Sequence, residues 1–265
     1  MSLTRIYGIV LRQYYLTRDN LTRLTQIFLW PFLDIVMWGF MSNYLDSFGV
    51  SNFIATLLGA IVLWDFLGRV MTGVTMTFFE DVWARNFLNI FASPLLISEY
   101  LIGMVVTSIA SSAVAFAAML IVAGFLFGFS IASYGLFSFA FLLILFCSGV
   151  ALGIFSVGII LRFGPSAEWF VWPLPAVISP FVGVFYPIAT LPMWMQYVSQ
   201  ILPPTYVFEG VRLIIAGDPT PVTPLIFGTL LSILYIGLAY LFFYRIYRRA
   251  VRTGLIARYS AESVS

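Results

Sequence analysis

Residues 169–212 read WFVWPLPAVISPFVGVFYPIATLPMWMQYVSQILPPTYVFEGVR, and this stretch constrains the fold more than any other. No charged residue occurs between Trp169 and Phe208, so the segment is apolar enough to enter a lipid bilayer. It nevertheless contains seven prolines, and proline in a helix interior removes a backbone hydrogen bond and breaks or kinks the helix. Interrupted helix at membrane depth is tolerated where it is buried in protein or lines a cavity. The stretch therefore predicts an irregular, path-forming segment inside a membrane protein.

The composition of the whole chain also indicates an integral membrane protein. Of its 265 residues, 62% are hydrophobic and 9% are charged, and the mean hydropathy is +1.02. All 13 basic residues are arginine and histidine is absent, which excludes a GxxxxGK[ST] phosphate-binding loop, a Schiff-base lysine, a histidine triad and an HExxH metal site. The single Cys147 lies in an apolar run and cannot form an internal disulfide. We therefore expect no catalytic site, no metal site and no bound cofactor in this chain.

Apolar runs along the chain predict an all-α membrane protein with six transmembrane helices. Residues 1–22 carry Arg5 and Arg12 on one helix face and predict an interfacial helix. Residues 79–94 have the pattern of a short amphipathic helix parallel to the membrane. Residues 190–217 are too broken for two further crossings and predict external re-entrant helices before the last span. The predicted spans lie at about 24–45, 53–78, 101–127, 136–161, 169–189 and 225–244.

The positions of the arginines orient the chain in the membrane. Eleven of the 13 arginines fall in the N-terminal segment, in loops on the same side, or in the tail at 245–265. Arg212 lies on the opposite side and Arg69 lies inside a span. Cytoplasmic loops carry the excess of basic residues, so both termini and residues 79–94 are predicted to be cytoplasmic. This arrangement predicts a multi-pass protein of the cell (inner) membrane.

Charged residues also occur inside the predicted spans, with Asp34 in the first and Asp65 and Arg69 in the second. Asp65 and Arg69 are at i and i+4, so they meet on one helix face. A charge at the centre of a span costs roughly 2.5–3.5 kcal/mol, so these side chains are expected to face the bundle interior or water. Two interpretations stay open: a gate or polar path, and a structural ion pair between helices.

The predicted fourth span contains a small-xxx-small pattern, from Gly149 to Gly153. Such patterns let two helix backbones approach closely. We expect this one to serve helix packing within the chain rather than dimerisation.

Two segments resemble sequence patterns of ABC-2 type transporter permeases. The first, RNFLNIFASPLLISEYLIG at residues 85–103, resembles that family's first cytoplasmic loop: a short helix, a Ser-Pro step, then a glutamate and a glycine entering the third span. The second, LPPTYVFEGVRLIIAG at residues 202–217, is similar to the family's P-x-T-Y-x-x-E-x-x-R stretch before the last span. The number of spans, the loop lengths and the proline-rich fifth span extend the similarity over nearly the whole chain.

The resemblance implies the membrane subunit of an ABC exporter that is not itself an enzyme. Two permease subunits, expected to form a homodimer, would enclose the path, and two copies of a separate ABC ATPase subunit would bind ATP and Mg²⁺. Residues 79–94 would then be a coupling helix that contacts the ATPase, although a plain interfacial helix anchored by a tryptophan has the same pattern. The candidate coupling residues are Glu80, Asp81, Trp83, Arg85 and Asn86.

The resemblance also implies that the short helices at 190–217 form an external gate. Glu209 and Arg212 are at i and i+3 and would pair to hold it, although an ordinary surface pair is worth well under about 1 kcal/mol. The implied cargo is an amphipathic drug, a lipid-linked glycan or a polysaccharide. An aromatic content of 18% suits such cargo, and phenylalanine that simply faces lipid explains the same composition. The candidate gate residues are Pro187, Pro203, Thr205, Tyr206, Glu209 and Arg212.

A stand-alone, ion-coupled secondary transporter or channel is the main alternative. It would use Asp34, Asp65 and Arg69 for ion coupling. The absence of a visible internal repeat, which such folds commonly have, argues against it. An intramembrane enzyme is disfavoured by the lack of histidine and lysine, and no nucleic-acid partner is expected.

Overall fold

The computed structural model describes residues 1–18, 20–48, 54–84, 86, 89–90, 93–218 and 221–254. Within these ranges the protein is all-helical and has no β-strand, so the all-α part of the predicted fold class is confirmed. Short π- or 3₁₀-helical turns occur at Ile54–Leu58, Ile131–Tyr134, Pro165–Ala167 and Ile188–Thr190. The α-helices are α1 (Leu3–Arg18), α2 (Leu21–Asp46), α3 (Gly59–Trp83), α4 (Ile97–Phe127), α5 (Phe137–Phe163), α6 (Glu168–Val171), α7 (Leu174–Val182), α8 (Met193–Gln200), α9 (Pro203–Ile215) and α10 (Val222–Thr253).

Among the described residues, four helices are long and apolar enough to cross a membrane. They are α3 with its preceding turn (Thr56–Trp83), α4, α5 and α10. The protein is therefore a membrane protein. Helix α2 has 26 residues and covers the first predicted span, but it is not among these four. That the chain crosses the membrane six times stays a prediction.

Helices α3 and α5 form the centre of the bundle. In their most apolar windows 56% and 67% of the residues are buried, against 22% for α4 and 17% for α10. Helix α5 packs against both α3 and α10, whereas α4 packs against α3 and also against α1 and α2. The apolar outer faces of α4 and α10 are left for lipid or for other protein.

Small residues let α3 pack closely against both of its neighbours. A Cβ atom added at Gly149 of α5 would lie 2.7 Å from Val70, and one at Gly153 would lie 2.7 Å from Val74. On the α4 side, Ser108 Oγ donates a hydrogen bond of 2.8 Å to the Val70 carbonyl. The small-xxx-small pattern thus serves packing within the chain, as predicted.

The proline-rich stretch does not form one continuous fifth helix over 169–189. Helix α6 ends at Val171, α7 has nine residues, and Gly183 adopts the left-handed conformation (φ 69°) that ends α7. At 1.5 Å per residue α7 is about 14 Å long, well short of the roughly 30 Å hydrocarbon core. Prolines 173 and 175 at the start of α7 and the glycine at its end explain the difference from the expected span.

The segment predicted as a separate helix at 79–94 is also different. Helix α3 continues to Trp83, five residues beyond the predicted end of the second span, because nothing in this run breaks the helix and Phe78, Phe79 and Val82 remain buried. Beyond it, the backbone N–H of Ile90 donates to the Asn86 carbonyl at 3.0 Å, a helical turn. Arg85 and residues 87–88 and 91–92 lie outside the described residues.

Candidate coupling and gating sites

The N-terminal helix α1 is held to the bundle by carboxylates, beginning with Glu99 at the start of α4. The side chain of Glu99 is fully buried and accepts hydrogen bonds from the backbone N–H groups of Leu96 (3.0 Å) and Ser2 (2.6 Å). Arg5 of α1 forms an ion pair with the same carboxylate at 3.1 Å and also donates to the Pro94 carbonyl. Glu99 therefore caps α4 and anchors the beginning of α1 at once.

A second buried carboxylate, Asp81 near the end of α3, anchors the next part of α1. Arg12 forms an ion pair with Asp81 through Oδ1, and the hydroxyl of the fully buried Tyr100 donates to Oδ2. Burial lowers the pKa of the Arg12 guanidinium, but its hydrogen bond to Asp81 and the charge of Asp81 outweigh this effect and raise that pKa above its ordinary value. The pair joins α1, α3 and α4 at one point.

Apolar packing completes the junction of α1 with α4. Ile9 lies between Arg5 and Arg12 on the docked face of α1 and is buried against Gly103. A Cβ atom at Gly103 would come within 2.8 to 2.9 Å of three atoms of Ile9, so only glycine admits this approach. Glu99 and Gly103, which the sequence pattern singled out at the start of the third span, are thus the residues that receive α1.

The predicted coupling residues lie around the end of α3. Asp81 is in the buried ion pair, Glu80 borders a cavity of about 120 Å³ shared by α1, α3 and α4, and Trp83 is 45% exposed. The backbone N–H of Asn86 donates to the Asp81 carbonyl at 3.0 Å. Arg85 lies outside the described residues. The structure brings Glu80, Asp81, Trp83 and Asn86 together at one end of the bundle, but Asp81 faces inward and so is not available to a partner.

An aromatic stack links the end of α3 to the proline-rich stretch. Phe79 stacks on Trp83 (ring centroids 5.3 Å apart) and on Trp172 (5.8 Å). The indole N–H of Trp172 donates to Glu168 Oε1 at 2.9 Å, which fixes the orientation of that ring. Sequence reasoning missed Phe79 and Trp172, because their contact joins positions about ninety residues apart and no local pattern indicates it. It also missed Glu168, whose role depends on the place of Trp172 in this stack.

The intramembrane charges come together on the inner side of α2 and α3. Asp65 and Arg69 line one cavity of about 530 Å³, and Asp34 of α2 is within electrostatic reach of both. Asp65 Oδ2 is buried and accepts no hydrogen bond. This arrangement fits both a polar path and a structural ion pair, so both interpretations stay predictions. Among the residues that the structure describes, no three histidine, cysteine or acidic side chains come together as metal ligands.

At the other end of the bundle, Glu209 and Arg212 form the ion pair that their spacing predicts. Arg212 Nη2 lies 2.7 Å from Glu209 Oε1, and the same oxygen accepts the backbone N–H of Ile188 at 3.0 Å. The pair therefore ties α9 to the turn at Ile188–Thr190 that follows α7. The Glu209 and Arg212 side chains remain 34% and 17% exposed, so the carboxylate of this pair is partly exposed, whereas the carboxylates that bind α1 are fully buried.

The other predicted gate residues shape the backbone around this pair. Pro203 occupies the first turn of α9, where its missing N–H costs nothing, and Pro187 is the extended residue that starts the Ile188–Thr190 turn. Thr205 is buried and its hydroxyl has no hydrogen-bond partner. Tyr206 donates its hydroxyl to the Gln200 carbonyl at 2.8 Å and stacks on Phe227 of α10. Burial raises the pKa of the Tyr206 phenol, so it stays a donor.

The carbonyls at the end of α7 are satisfied by side chains of the same region. After Gly183 turns the chain, the Tyr186 hydroxyl donates to the Pro180 carbonyl at 2.8 Å. The Ser199 hydroxyl of α8 donates to the Phe181 carbonyl. These bonds replace the backbone partners that a longer helix would have supplied. We call α7, α8, α9 and the connections between them the cap.

Comparison with known proteins agrees with this architecture. The family model described as ABC-2 type transporter matches residues 10–216, which is most of the chain. The match includes the Arg12–Asp81 pair, the proline-rich stretch and the Glu209–Arg212 pair. No curated protein sequence is significantly similar to the chain. The chain belongs to the ABC-2 type transporter family and is a membrane permease component of an ABC transporter.

Proposed function

We propose that the chain is the permease subunit of an ATP-driven exporter and works as a homodimer with two copies of a separate ATPase subunit. Both termini would face the cytoplasm of the inner membrane. ATP and Mg²⁺ would bind to the ATPase, and this chain would hold no nucleotide. The cargo would be an amphipathic drug, a lipid-linked glycan or a polysaccharide that passes between the two permease subunits.

The observation that carries the proposal is the construction of the α1–α3–α4 junction. A helix that merely floats at the membrane surface needs no specific contacts, yet α1 is held by the buried carboxylates of Asp81 and Glu99. Force applied to α1 or to the end of α3 therefore reaches two membrane helices together, because the ion pairs and the Ile9 contact make these elements one unit. Such a junction suits a protein whose energy comes from a partner.

The force would be transmitted from the junction to the cap. Trp83 is the last residue of α3, and the stack that it forms with Phe79 and Trp172 reaches the start of the proline-rich stretch. That stretch continues through α7 to the cap, where Glu209 holds Ile188 and Arg212. In this proposal ATP binding rocks the subunits at the cytoplasmic end, and the cap opens at the other.

Copurification tests the proposal directly. We expect the chain, purified gently from its native membrane, to bring an ATPase subunit with it, in equal copy number within a dimeric assembly. Arg85→Ala and Trp83→Ala should lower ATP-driven transport while membrane insertion is retained. Transport by the purified chain alone, driven by an ion gradient and lost in Asp65→Asn or Asp34→Asn, would instead establish the ion-coupled secondary transporter.

A further inference from the structure

A cavity between α2, α3 and the α6–α7 segment has a chemical character unlike the rest of the bundle. Its volume is about 530 Å³, within the range of about 300–1,000 Å³ found for small-molecule sites. The buried core of the bundle consists mostly of aliphatic residues and phenylalanine, whereas this cavity is lined by tryptophan and charged side chains. The side chains that give it this character are Trp30, Asp65, Arg69, Trp83, Glu168 and Trp172.

The acidic groups of the cavity have acceptor capacity that the protein does not use. Asp65 Oδ2 is buried and accepts no hydrogen bond from the residues that the structure describes, although an ionised carboxylate offers about four acceptor positions. Glu168 engages one oxygen with the Trp172 indole N–H at 2.9 Å. Asp34 adds a further negative charge within electrostatic reach of Asp65. Among the described residues that line the cavity, Asp65 and Glu168 are acidic and Arg69 is basic, so negative charge exceeds positive charge there.

The tryptophans present aromatic faces around these carboxylates. Trp30 is 59% exposed and Trp83 is 45% exposed, and both border the cavity. Trp172 is held in place by its hydrogen bond to Glu168 and by its stack on Phe79. The negative face of an indole ring attracts a cation, and tryptophan is the best of the aromatic residues for this interaction. Met71, Met76 and Pro175 make the remaining wall apolar.

We propose that this cavity binds a lipophilic organic cation. Asp65 and Glu168 neutralise its positive charge, and Trp30, Trp83 and Trp172 surround its apolar groups. A cation supplies the positive charge that the carboxylates lack at membrane depth, where uncompensated charge is costly. A glycan would instead need many hydrogen-bond partners for its hydroxyls, and the methionine and proline wall offers none. The inference rests on the proposed function, since it names the cargo class for the same transport path.

The binding experiment uses two probes of the same shape and opposite charge. The purified full-length chain in lipid nanodiscs is titrated with tetraphenylphosphonium, a permanent cation, and with tetraphenylborate, the corresponding anion, by equilibrium dialysis. We expect saturable binding of the cation and at least tenfold weaker binding of the anion. Equal affinity for the two ions would overturn the inference, because it would show apolar partitioning without charge recognition.

Variants locate the binding in this cavity. Asp65→Asn and Glu168→Gln keep the shape of each side chain and remove its charge, so each should weaken binding of the cation at least fivefold. Asp46→Asn, at the exposed end of α2, is the matched control and should leave it unchanged. Unchanged affinity in both cavity variants would overturn the inference.

A second variant does not depend on any charged residue. A Cβ atom added at Gly68, which lines the cavity, meets nothing within 4 Å, so Gly68→Leu brings an apolar side chain into the cavity with no clash at its Cβ. Gly237→Leu on the exposed face of α10 also meets open space and is the control. Loss of cation binding in Gly68→Leu alone is expected, and retained binding would contradict the proposed location.

This measurement is independent of the ATPase. If charge-selective binding is found but no ATPase copurifies, the exporter proposal fails and the binding site stands. If an ATPase copurifies and drives transport while the cation and the anion bind equally, the exporter proposal stands and the inference about the cargo fails.

Discussion

The two ends of the bundle are held together in different ways. At the α1–α3–α4 junction, fully buried carboxylates bind arginines from 69 and 94 residues away in the sequence. In the cap, Glu209 and Arg212 are three residues apart on one helix and remain partly exposed, and most other contacts are short-range hydrogen bonds to backbone carbonyls.

This difference separates rigidity from adaptability. Removing one partner of a buried ion pair leaves an uncompensated charge at a cost of about 3–5 kcal/mol, whereas a partly exposed pair contributes about 0–1 kcal/mol. The junction therefore moves as a unit if it moves at all. The cap can exchange its contacts at small cost, which is what a gate requires.

The largest effect is expected at the centre of the junction. Asp81→Ala leaves the partly buried Arg12 without its ion pair and the buried Tyr100 hydroxyl without an acceptor, so the free energy of unfolding should fall by about 2–4 kcal/mol. Thermal unfolding of the purified protein in detergent measures this loss. Asp46→Ala, at an exposed position, serves as the control and should change stability by less than about 0.5 kcal/mol. Equal unfolding temperatures for the two variants would contradict a rigid junction.

A somewhat smaller effect is expected from packing at the same junction. Gly103→Ala places a methyl group 2.8 to 2.9 Å from Ile9, and relieving such overpacking costs about 1–3 kcal/mol. Proteolysis within α1 should become faster because the helix is displaced from α4. The second substitution Ile9→Ala should restore part of the protection, and Gly8→Ala, which meets open space, should have no effect. Protection as strong as in the parent protein would show that α1 is not docked through this contact.

The aromatic stack predicts a functional effect without a large change in stability. Trp83→Ala removes a stacked pair worth about 0.5–1.5 kcal/mol, so ATP-driven transport should fall by roughly two- to tenfold. The control is Trp194→Ala in the cap, where a tryptophan that is 61% exposed, against 45% for Trp83, makes an edge contact with Phe181 and should affect coupling less. Both variants should reach the membrane in normal amounts, as checked by solubilised yield. A larger loss in Trp194→Ala would reverse the assignment of the two ends.

The smallest effect is expected at the cap. Glu209→Gln removes the ion pair with Arg212 but keeps an oxygen that can accept the Ile188 N–H, so stability should change by less than about 1 kcal/mol. Thermal unfolding beside Asp81→Ala compares the two ends directly. A loss as large as that of Asp81→Ala would mean that the cap is as rigid as the junction.

Much of the helical framework follows from the sequence, because apolar runs and local spacing determine it. The apolar runs indicate where α4, α5 and α10 lie, and the spacing of Gly149 and Gly153 predicts the close approach within the bundle. The Glu209–Arg212 pair follows from helical periodicity alone, since three residues bring two side chains to the same face.

What the sequence did not indicate depends on contacts between distant segments. Arg5 and Arg12 are seven residues apart, which places them on one face, but nothing local says that this face meets Glu99 and Asp81 rather than water. The predicted helix boundary after residue 78 was wrong for a related reason. The acidic pair Glu80–Asp81 resembles a helix start, yet Phe79 and Val82 continue the buried face of the preceding span. Tertiary burial, not local pattern, determined that boundary.

The hydrogen bonds at the end of α7 imply that hydration accompanies opening of the cap. Tyr186 and Ser199 supply the partners of the Pro180 and Phe181 carbonyls, and both side chains belong to the cap itself. When these side chains withdraw, the carbonyls need new partners, and lipid tails offer none. If the cap opens as proposed, water must enter with it, so the exit would be a wetted passage from its first moment. An amphipathic cargo would then leave through it with its polar end already solvated.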